Sequence, residues 1–291
     1  MKKLLGSIAI LALAMPLAAQ AADLPAAPVY KAPVYVPPPS DWTGFYIGGD
    51  IGGRWSNSTW STTCLETGQP GTACTTAPAD ALIRFATNNP TTFNSTSFKG
   101  GGYAGYNWQV NSAWVVGVEG DWQWANNSTT VSGIPGAENL TVIGAPGLDT
   151  STVKQTWDAS ARGRVGFLVA PSWMVFGTGG VAFTNVQASA HCGTLFPVGW
   201  CGQAANIGRT DTASLDRVGW TAGAGVEGMI APNWLARIEY RYANYGNNMS
   251  FTMLQGPASN IDAISGNLKL QDQSVTVGIA YKFGGPVVAR Y

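Results

Sequence analysis

The sequence predicts an all-β fold, an eight-stranded antiparallel up-and-down transmembrane β-barrel, on three observations. Hydrophobicity alternates with period two over segments of about a dozen residues, the charges are sorted onto one parity of those segments, and short and long connections alternate between them. Composition points the same way. Of 291 residues only 11% are charged, against roughly 25% in soluble globular chains. Sixteen Lys and Arg balance 16 Asp and Glu, which excludes the basic footprint of a nucleic-acid binder. The 12 Trp, 10 Tyr and 10 Phe are dispersed along the chain rather than gathered into blocks.

The N-terminus sets the compartment. Lys2 and Lys3 precede an apolar stretch over 4–15 and an Ala19-Gln20-Ala21 cleavage site, so residues 1–21 read as a secretory signal. Its removal takes the formal charge from 0 to −2. Beyond it no run approaches the roughly 20 apolar residues of a membrane helix, leaving a soluble exported protein or one that crosses a membrane with strands. Residues 22–41 are Pro-rich, with Ala27-Pro28-Val29-Tyr30 repeated as Ala32-Pro33-Val34-Tyr35. That composition predicts an extended periplasmic spacer.

Eight strands follow. In 42–55, Phe45, Ile47, Ile51 and Trp55 oppose Tyr46, Asp50 and Arg54. In 98–110, Tyr106, Trp108 and Val110 oppose Asn107 and Gln109. In 113–125, Trp114, Val116, Val118, Trp122 and Trp124 oppose Glu119, Asp121 and Gln123. Segment 154–169 sets Trp157, Ala159, Ala161, Val165 and Phe167 against Asp158, Ser160, Arg162 and Arg164. Segment 173–186 is apolar or small on both faces. In 217–230, Val218, Trp220, Val226 and Ile230 oppose Arg217, Thr221 and Glu227. In 234–245, Trp234, Ile238 and Tyr240 oppose Arg237, Glu239 and Arg241, and in 270–283, Val275, Val277, Ile279, Tyr281 and Phe283 oppose Ser274, Thr276 and Lys282. Residues 111–112, 171–172 and 231–233 are tight turns, whereas 56–97, 126–153, 187–215 and 246–269 are long connections rich in Gly, Ser, Thr, Asn and Pro.

A soluble sandwich also alternates, so three features decide. The strands reach the roughly 9–11 residues needed to cross a bilayer. Their polar face carries many charges beside many glycines, and aromatics bunch at both strand ends as interfacial girdles. Lipid requires every backbone hydrogen bond to be made internally, which only a closed sheet achieves with strands. The barrel is expected over 42–283, with a short periplasmic tail over 284–291. Eight strands leave an interior that side chains fill. Asp50, Arg54, Glu119, Asp121, Asp158, Arg162, Arg164, Arg217, Glu227, Arg237, Glu239, Arg241 and Lys282 are therefore expected to form an ion-paired plug. The alternative is a small-solute channel. An even strand number places both termini with the short turns, on the periplasmic side, and the long connections outside.

Remaining motifs carry less. Gly223-Ala224-Gly225-Val226-Glu227-Gly228 matches a dinucleotide fingerprint, and residues 177–182 its looser form, but the fingerprint needs a helix opening at the glycines and both sites continue as strand. Glycine that lets a crowded wall close is the better reading. His191, with Ser189 and Asp211 nearby, is the remote basis for a surface enzyme. No cofactor or metal site is expected: the cysteine spacings fit no zinc pattern and His191 is the only histidine. Four cysteines allow three connectivities, of which local bridges Cys64–Cys74 and Cys192–Cys201 span the shortest loops.

The signal, the Pro-rich lead, the run Trp42 to Gly49 (WTGFYIGG), the run Gly101 to Gln109 (GGYAGYNWQ) and the closing Tyr281-Lys282-Phe283 resemble the alphaproteobacterial outer membrane immunogenic protein family, small surface barrels related to porin-opacity-type proteins. The resemblance covers nearly the whole mature chain. It implies an abundant, surface-exposed outer-membrane barrel concerned with envelope integrity and host or environment contact, without known catalysis. It also implies lipid and lipopolysaccharide contact, and a barrel-assembly signal at Thr276, Gly278, Tyr281 and Phe283 read by the assembly machinery. Phe283 is not the last residue, so that signal is internal.

Overall fold

A computed structural model describes residues 41–66, 87–136, 149–192, 209–253 and 263–284. The chain divides after Pro38, and all described residues lie in the second unit. The signal 1–21, most of the spacer 22–41 and the tail beyond Gly284 lie outside them.

The expectation of an eight-stranded up-and-down barrel is corrected. The described residues form nine antiparallel strands: β1 (Gly44–Glu66), β2 (Thr91–Gln109), β3 (Trp114–Ser132), β4 (Thr150–Ala170), β5 (Trp173–Cys192), β6 (Arg209–Ala231), β7 (Trp234–Asn244), β8 (Met249–Met253) and β9 (Ala263–Lys282). Their order in the sheet is β1-β2-β3-β4-β5-β6-β7-β9-β8, with β1 also paired to β9. Both β7 and β8 lie on the edge of β9 that β1 leaves free. Asn244 is opposite Gln271, and Met249 is opposite Leu268. The extra strand is thus the line of β7 resumed after a break at Tyr245–Asn248, where Gly246 takes a φ of 86° that favours glycine.

The circuit of pairings is complete only in the half nearer the short turns. Beyond it, two ladders stop. Pairing of β2 with β3 begins at Lys99 and Ala125, so Thr91 to Phe98 find no ladder on that side. Pairing of β6 with β7 begins at Trp220 and Asn244, and β8 pairs with β9 alone among the described strands. The far half is therefore two four-stranded sheets, β2-β1-β9-β8 and β3-β4-β5-β6, and not a closed barrel. The seam between β2 and β3 is bridged by side chains. Asn127 accepts from Ser97 Oγ and donates to Ser95 Oγ at 3.0 Å, and Thr129 Oγ1 donates to the Asn94 carbonyl at 2.9 Å. Across the other seam, Arg217 Nη2 donates to the Asn248 carbonyl at 3.1 Å.

A hydrophobic core holds the two sheets face to face. Trp60, Phe93, Phe251, Met249, Met253, Ile264 and Leu268 from one sheet pack with Val153, Val186, Ala188 and Ala190 from the other. Here the ordinary rule of a soluble sandwich applies, apolar inside and polar outside. Nearer the short turns it is inverted: Ile47, Ile51, Val118, Val226, Ile238, Val277 and Ile279 lie exposed on the outer face, and the charges are buried. The change of medium is written within single strands. In β9 the inward Ile264, Leu268 and Leu270 give way to Asp272, Ser274 and Thr276, while outward Asn267 and Lys269 give way to Val275 and Val277. The described parts of the segments expected as long connections are mostly strand for this reason. They are rich in Thr and Ser, which accept the pleated conformation, and their sequence alternates in the opposite sense. β1 runs 11 residues past Trp55, roughly 36 Å of strand at about 3.3 Å per residue.

The ambiguous segment 173–186 also resolves. Trp173, Val175, Val181 and Phe183 are exposed, while Met174, Phe176, Ala182 and Val186 are buried. Both faces are apolar because the inward residues join apolar packing, Ala182 and Val186 in the core of the two sheets and Met174 and Phe176 in a second cluster nearer the short turns.

Candidate functional site

The interior between the two ends is built by strand alternation, which aims every second side chain inward. Glu119 and Asp121 come from β3, Asp158, Arg162 and Arg164 from β4, and Arg237, Glu239 and Arg241 from β7. Long side chains need room across the sheet, and glycine supplies it in register: Glu119 is opposite Gly105, Arg164 opposite Gly117, Arg162 opposite Gly180, Arg241 opposite Gly223 and Glu239 opposite Gly225. The two fingerprint-like glycine runs lie in β6 and β5 with no helix beside them.

Glu119 is the hub. It meets Arg162 at 2.5 Å, Arg237 at 2.5 Å and Arg164 at 3.9 Å, and its Oε2 accepts from the Tyr46 hydroxyl at 2.8 Å. Glu239 joins Arg162, Arg237 at 3.6 Å and Arg241 at 3.7 Å. Asp121 takes Arg241 at 2.8 Å and Arg162 at 3.3 Å, and accepts from Ser160 Oγ. Glu227 lies 2.9 Å from Arg164, and Asp50 lies 3.7 Å from Arg237. A second tier sits toward the long connections, where Asp158 holds Arg54 and Lys99, both at 2.8 Å. Between the tiers a void of 10 Å³, lined by Arg54, Lys99, Asp158, Arg241, Asp272 and Ser274, has room for about one water.

Apolar groups seal this charged zone on both sides. Toward the long connections lies the core of the two facing sheets. Toward the short turns Trp42, Tyr46, Tyr103, Val115, Met174, Phe176, Leu235 and Ala280 form a second cluster, in which Trp42 is fully buried and donates from Nε1 to the Pro171 carbonyl at 3.1 Å. The Arg237 guanidinium lies 3.4 Å over the Tyr103 ring, and that of Arg164 lies 4.2 Å over Phe176, so cation–π contact joins the two zones.

Eleven of the thirteen charges expected in the plug are ion-paired inside. Arg217 lies instead at the seam between β6 and β8, and Lys282 donates to the Thr43 and Gly284 carbonyls at the short-turn end. The sequence reading omitted Lys99 and Asp272, whose Oδ2 accepts from Gln155 Nε2 at 2.7 Å. Lys99 lies two residues before Gly101, and Asp272 two before Ser274, so extending the inward parity by one step finds both. Thr276 and Gly278 sit inward on β9, while Tyr281 and Phe283 stack edge to face at 5.0 Å on its outer side. His191 Nδ1 meets Thr210 Oγ1 and Ser189 Oγ meets Thr212 Oγ1, which does not assemble the arrangement needed for hydrolysis. Cys64 is disulfide-bonded. Cys74, Cys201 and the side chain of Cys192 lie outside the described residues, and the expected pairings with them.

Aromatic belts bound the inverted zone on the outer face. Trp108, Trp114, Trp173, Trp234 and Phe283 stand exposed by the short turns, and Trp55, Trp122, Trp124 and Trp220 on the other side. A family model described as outer membrane protein beta-barrel domain matches residues 7–283. The chain belongs to that family. Among curated relatives of the outer-membrane immunogenic type, the 25 kDa outer-membrane immunogenic protein of Brucella abortus biovar 1 is 30% identical over 258 residues, 88% of this chain and 86% of that protein. The 31 kDa outer-membrane immunogenic protein of Brucella melitensis is 31% identical over 187 residues, 64% and 66% of the two chains. The 22 kDa outer membrane protein of Rhizobium leguminosarum bv. viciae is 30% identical over 186 residues, again 64% and 66%. The outer membrane protein OprG from Pseudomonas aeruginosa is matched at TM-score 0.45 and 13% identity, over 84% of this chain and 97% of that one. This member of the outer-membrane immunogenic protein family is thus a structural protein of the outer membrane, with buried ion pairs filling its interior.

Membrane location gives the change of polarity a direct test. Ile47→Lys, on the outer face between the belts, is expected to cost about 2–4 kcal/mol in equilibrium refolding into lipid vesicles. Asn57→Lys, on the same face of the same strand past Trp55, is expected to cost about 0.5 kcal/mol or less. Equal costs would place the membrane boundary elsewhere.

Proposed function

We propose that this outer-membrane protein is a non-conducting, surface-projecting scaffold that contributes to envelope integrity and carries its long connections, within 56–97, 126–153, 187–215 and 246–269, toward the host or environment. Its carrying observation is the three-zone interior, a charged zone sealed by apolar packing on both sides. An aqueous path needs continuous wettable space, and both apolar cores interrupt it. The two facing sheets give the projection its reach, because a sandwich with its own dry core stands outside lipid without cost. Short turns on the periplasmic side and long connections outside are the usual arrangement of outer-membrane strands.

In this reading residues 1–21 direct export, 22–41 form a periplasmic spacer, and Thr276, Gly278, Tyr281 and Phe283 are read by the barrel-assembly machinery. The long connections carry few charges and many Thr, Asn, Ser and Gly, which suits variable contact surfaces on a rigid base. Planar-bilayer recording of the refolded protein is expected to give no steady open level at modest voltage. A reproducible conductance would instead establish the small-solute channel.

A further inference from the structure

The charges of the sealed zone do not balance. Among the described residues it holds six cations, Arg54, Lys99, Arg162, Arg164, Arg237 and Arg241, and seven carboxyl groups, the six found above in ion pairs and Asp272. The other buried charges lie elsewhere, Lys282 at the short-turn end and Asp149 among the long connections. A surplus charge shielded from water is costly, and a titratable group escapes the cost by becoming neutral.

Asp272 is the carboxyl that the pairing leaves over. Arg54, Lys99 and Arg241 line the void beside it, but the first two hold Asp158 at 2.8 Å and the third holds Asp121 at 2.8 Å. Even Asp50 has Arg237 at 3.7 Å, whereas Asp272 is in no ion pair among the described residues. Its Oδ2 accepts from Gln155 Nε2 at 2.7 Å, and its Oδ1 has no hydrogen-bond partner. Ser274 and Tyr245, which also line the void, and Ser56 and Thr184, which bond to Gln155, are neutral. On the outer side of β9 Asp272 is flanked by Gln271 and Gln273, before the lipid-facing run starts at Val275, so it stands outside the membrane-spanning stretch. Burial pushes its carboxyl above the ordinary carboxylate range, against the pull of Arg54.

We propose that Asp272 is a proton-binding site, carrying on Oδ1 at neutral pH the one proton that balances the sealed interior, and so acts as a pH-sensitive clasp between the charged zone and the core of the facing sheets. The position suits a clasp. Gln155 reaches Asp272 from β4, so their hydrogen bond joins the two sheets, and Leu270, two residues before Asp272, belongs to the shared core. A metal ion is a poor substitute for the proton, because the void of 10 Å³ beside Asp272 is lined by three cationic side chains. The inference rests on the sealed interior proposed above.

The native state then holds a proton that the unfolded chain, with an aspartate value of about 3.9, has already lost. Stability from this site is present at low pH and is lost as pH rises toward the native value of the group. Urea titration of the full-length protein folded in lipid vesicles, from about pH 5 to about pH 8, is compared with the same series for Asp272→Asn, a neutral mimic of the protonated acid. The ratio of the wild-type folding constant to that of the variant is expected to fall about tenfold per pH unit while the native state keeps its proton. Infrared spectra of wild type labelled with carboxyl-carbon-13 aspartate are expected to show a protonated carboxyl band at neutral pH that Asp272→Asn lacks, and the wild-type band alone serves should the variant fail to fold. A ratio independent of pH, or no protonated band at neutral pH, overturns the proposal. A band that survives in Asp272→Asn and disappears in Asp50→Asn moves the proton to Asp50. A wild-type folding constant that rises with sodium at fixed ionic strength, without the band, replaces the proton with a metal ion. Planar-bilayer recording separates the two failures: a conducting protein locates the error in the sealing, and a non-conducting protein without the pH dependence locates it in the proton.

Discussion

Glu119→Ala is expected to lower stability by about 3–5 kcal/mol, the range for removing one partner of a buried ion pair. The carboxylate is fully buried and meets the guanidinium groups of Arg162 and Arg237 at 2.5 Å and the Tyr46 hydroxyl at 2.8 Å. Without it, positive charges remain beside Glu239 and Asp121 in a zone sealed by apolar packing, and water cannot reach them freely. Urea titration of the protein folded in lipid vesicles, followed by tryptophan fluorescence, gives the difference. Replacing both partners, as in Glu119→Leu with Arg162→Leu, is expected to cost less than the sum of the single changes, because neither leaves the other's charge orphaned. A loss under about 1 kcal/mol for Glu119→Ala would mean that the charged zone is hydrated.

Trp60→Ala is expected to cost about 3–5 kcal/mol as well, but in a different place. Trp60 is fully buried, stacks on Phe93 at 6.1 Å and meets Phe251 edge-on at 4.8 Å, and its Nε1 donates to Thr62 Oγ1 at 3.1 Å. It therefore joins β1, β2 and β8 within one of the two facing sheets, at the core they share with the other. Those sheets are held to each other by this core and by few hydrogen bonds across the seams. The loss is expected to open the far half locally, as new protease cleavage within 91–98 and 249–253. The membrane-embedded half, with its complete ladders, remains protected. Cleavage spread over both halves would show that they unfold as one unit.

Much of this was legible from residues alone. The thirteen charges sit on one parity, and that pattern placed eleven of them inside. The aromatic positions beside the turns marked the belts. The far half was not read, although a signal was present. In β9 the apolar residues occupy even positions through Leu270 and odd positions from Val275 onward. A change of parity within one segment looks like the end of a strand, because alternation is normally read against one medium. Here the strand continues and the medium changes around it.

What the sequence determined by itself is which side chains share a face, because period two is fixed by the local geometry of the extended chain. It also determined that one stretch of each strand meets lipid, because apolar residues occupy the face that charges avoid. Only the tertiary structure decided which charges meet. Glu119 and Arg237 are 118 residues apart, and they come together through the register of several successive ladders and the closeness of opposite walls. It also decided that the ring of strands is incomplete. Whether β2 reaches β3 beyond Lys99, or β6 reaches β8, depends on two apolar faces packing against each other and drawing the tube flat. That burial involves residues from seven strands at once, so no single segment encodes it.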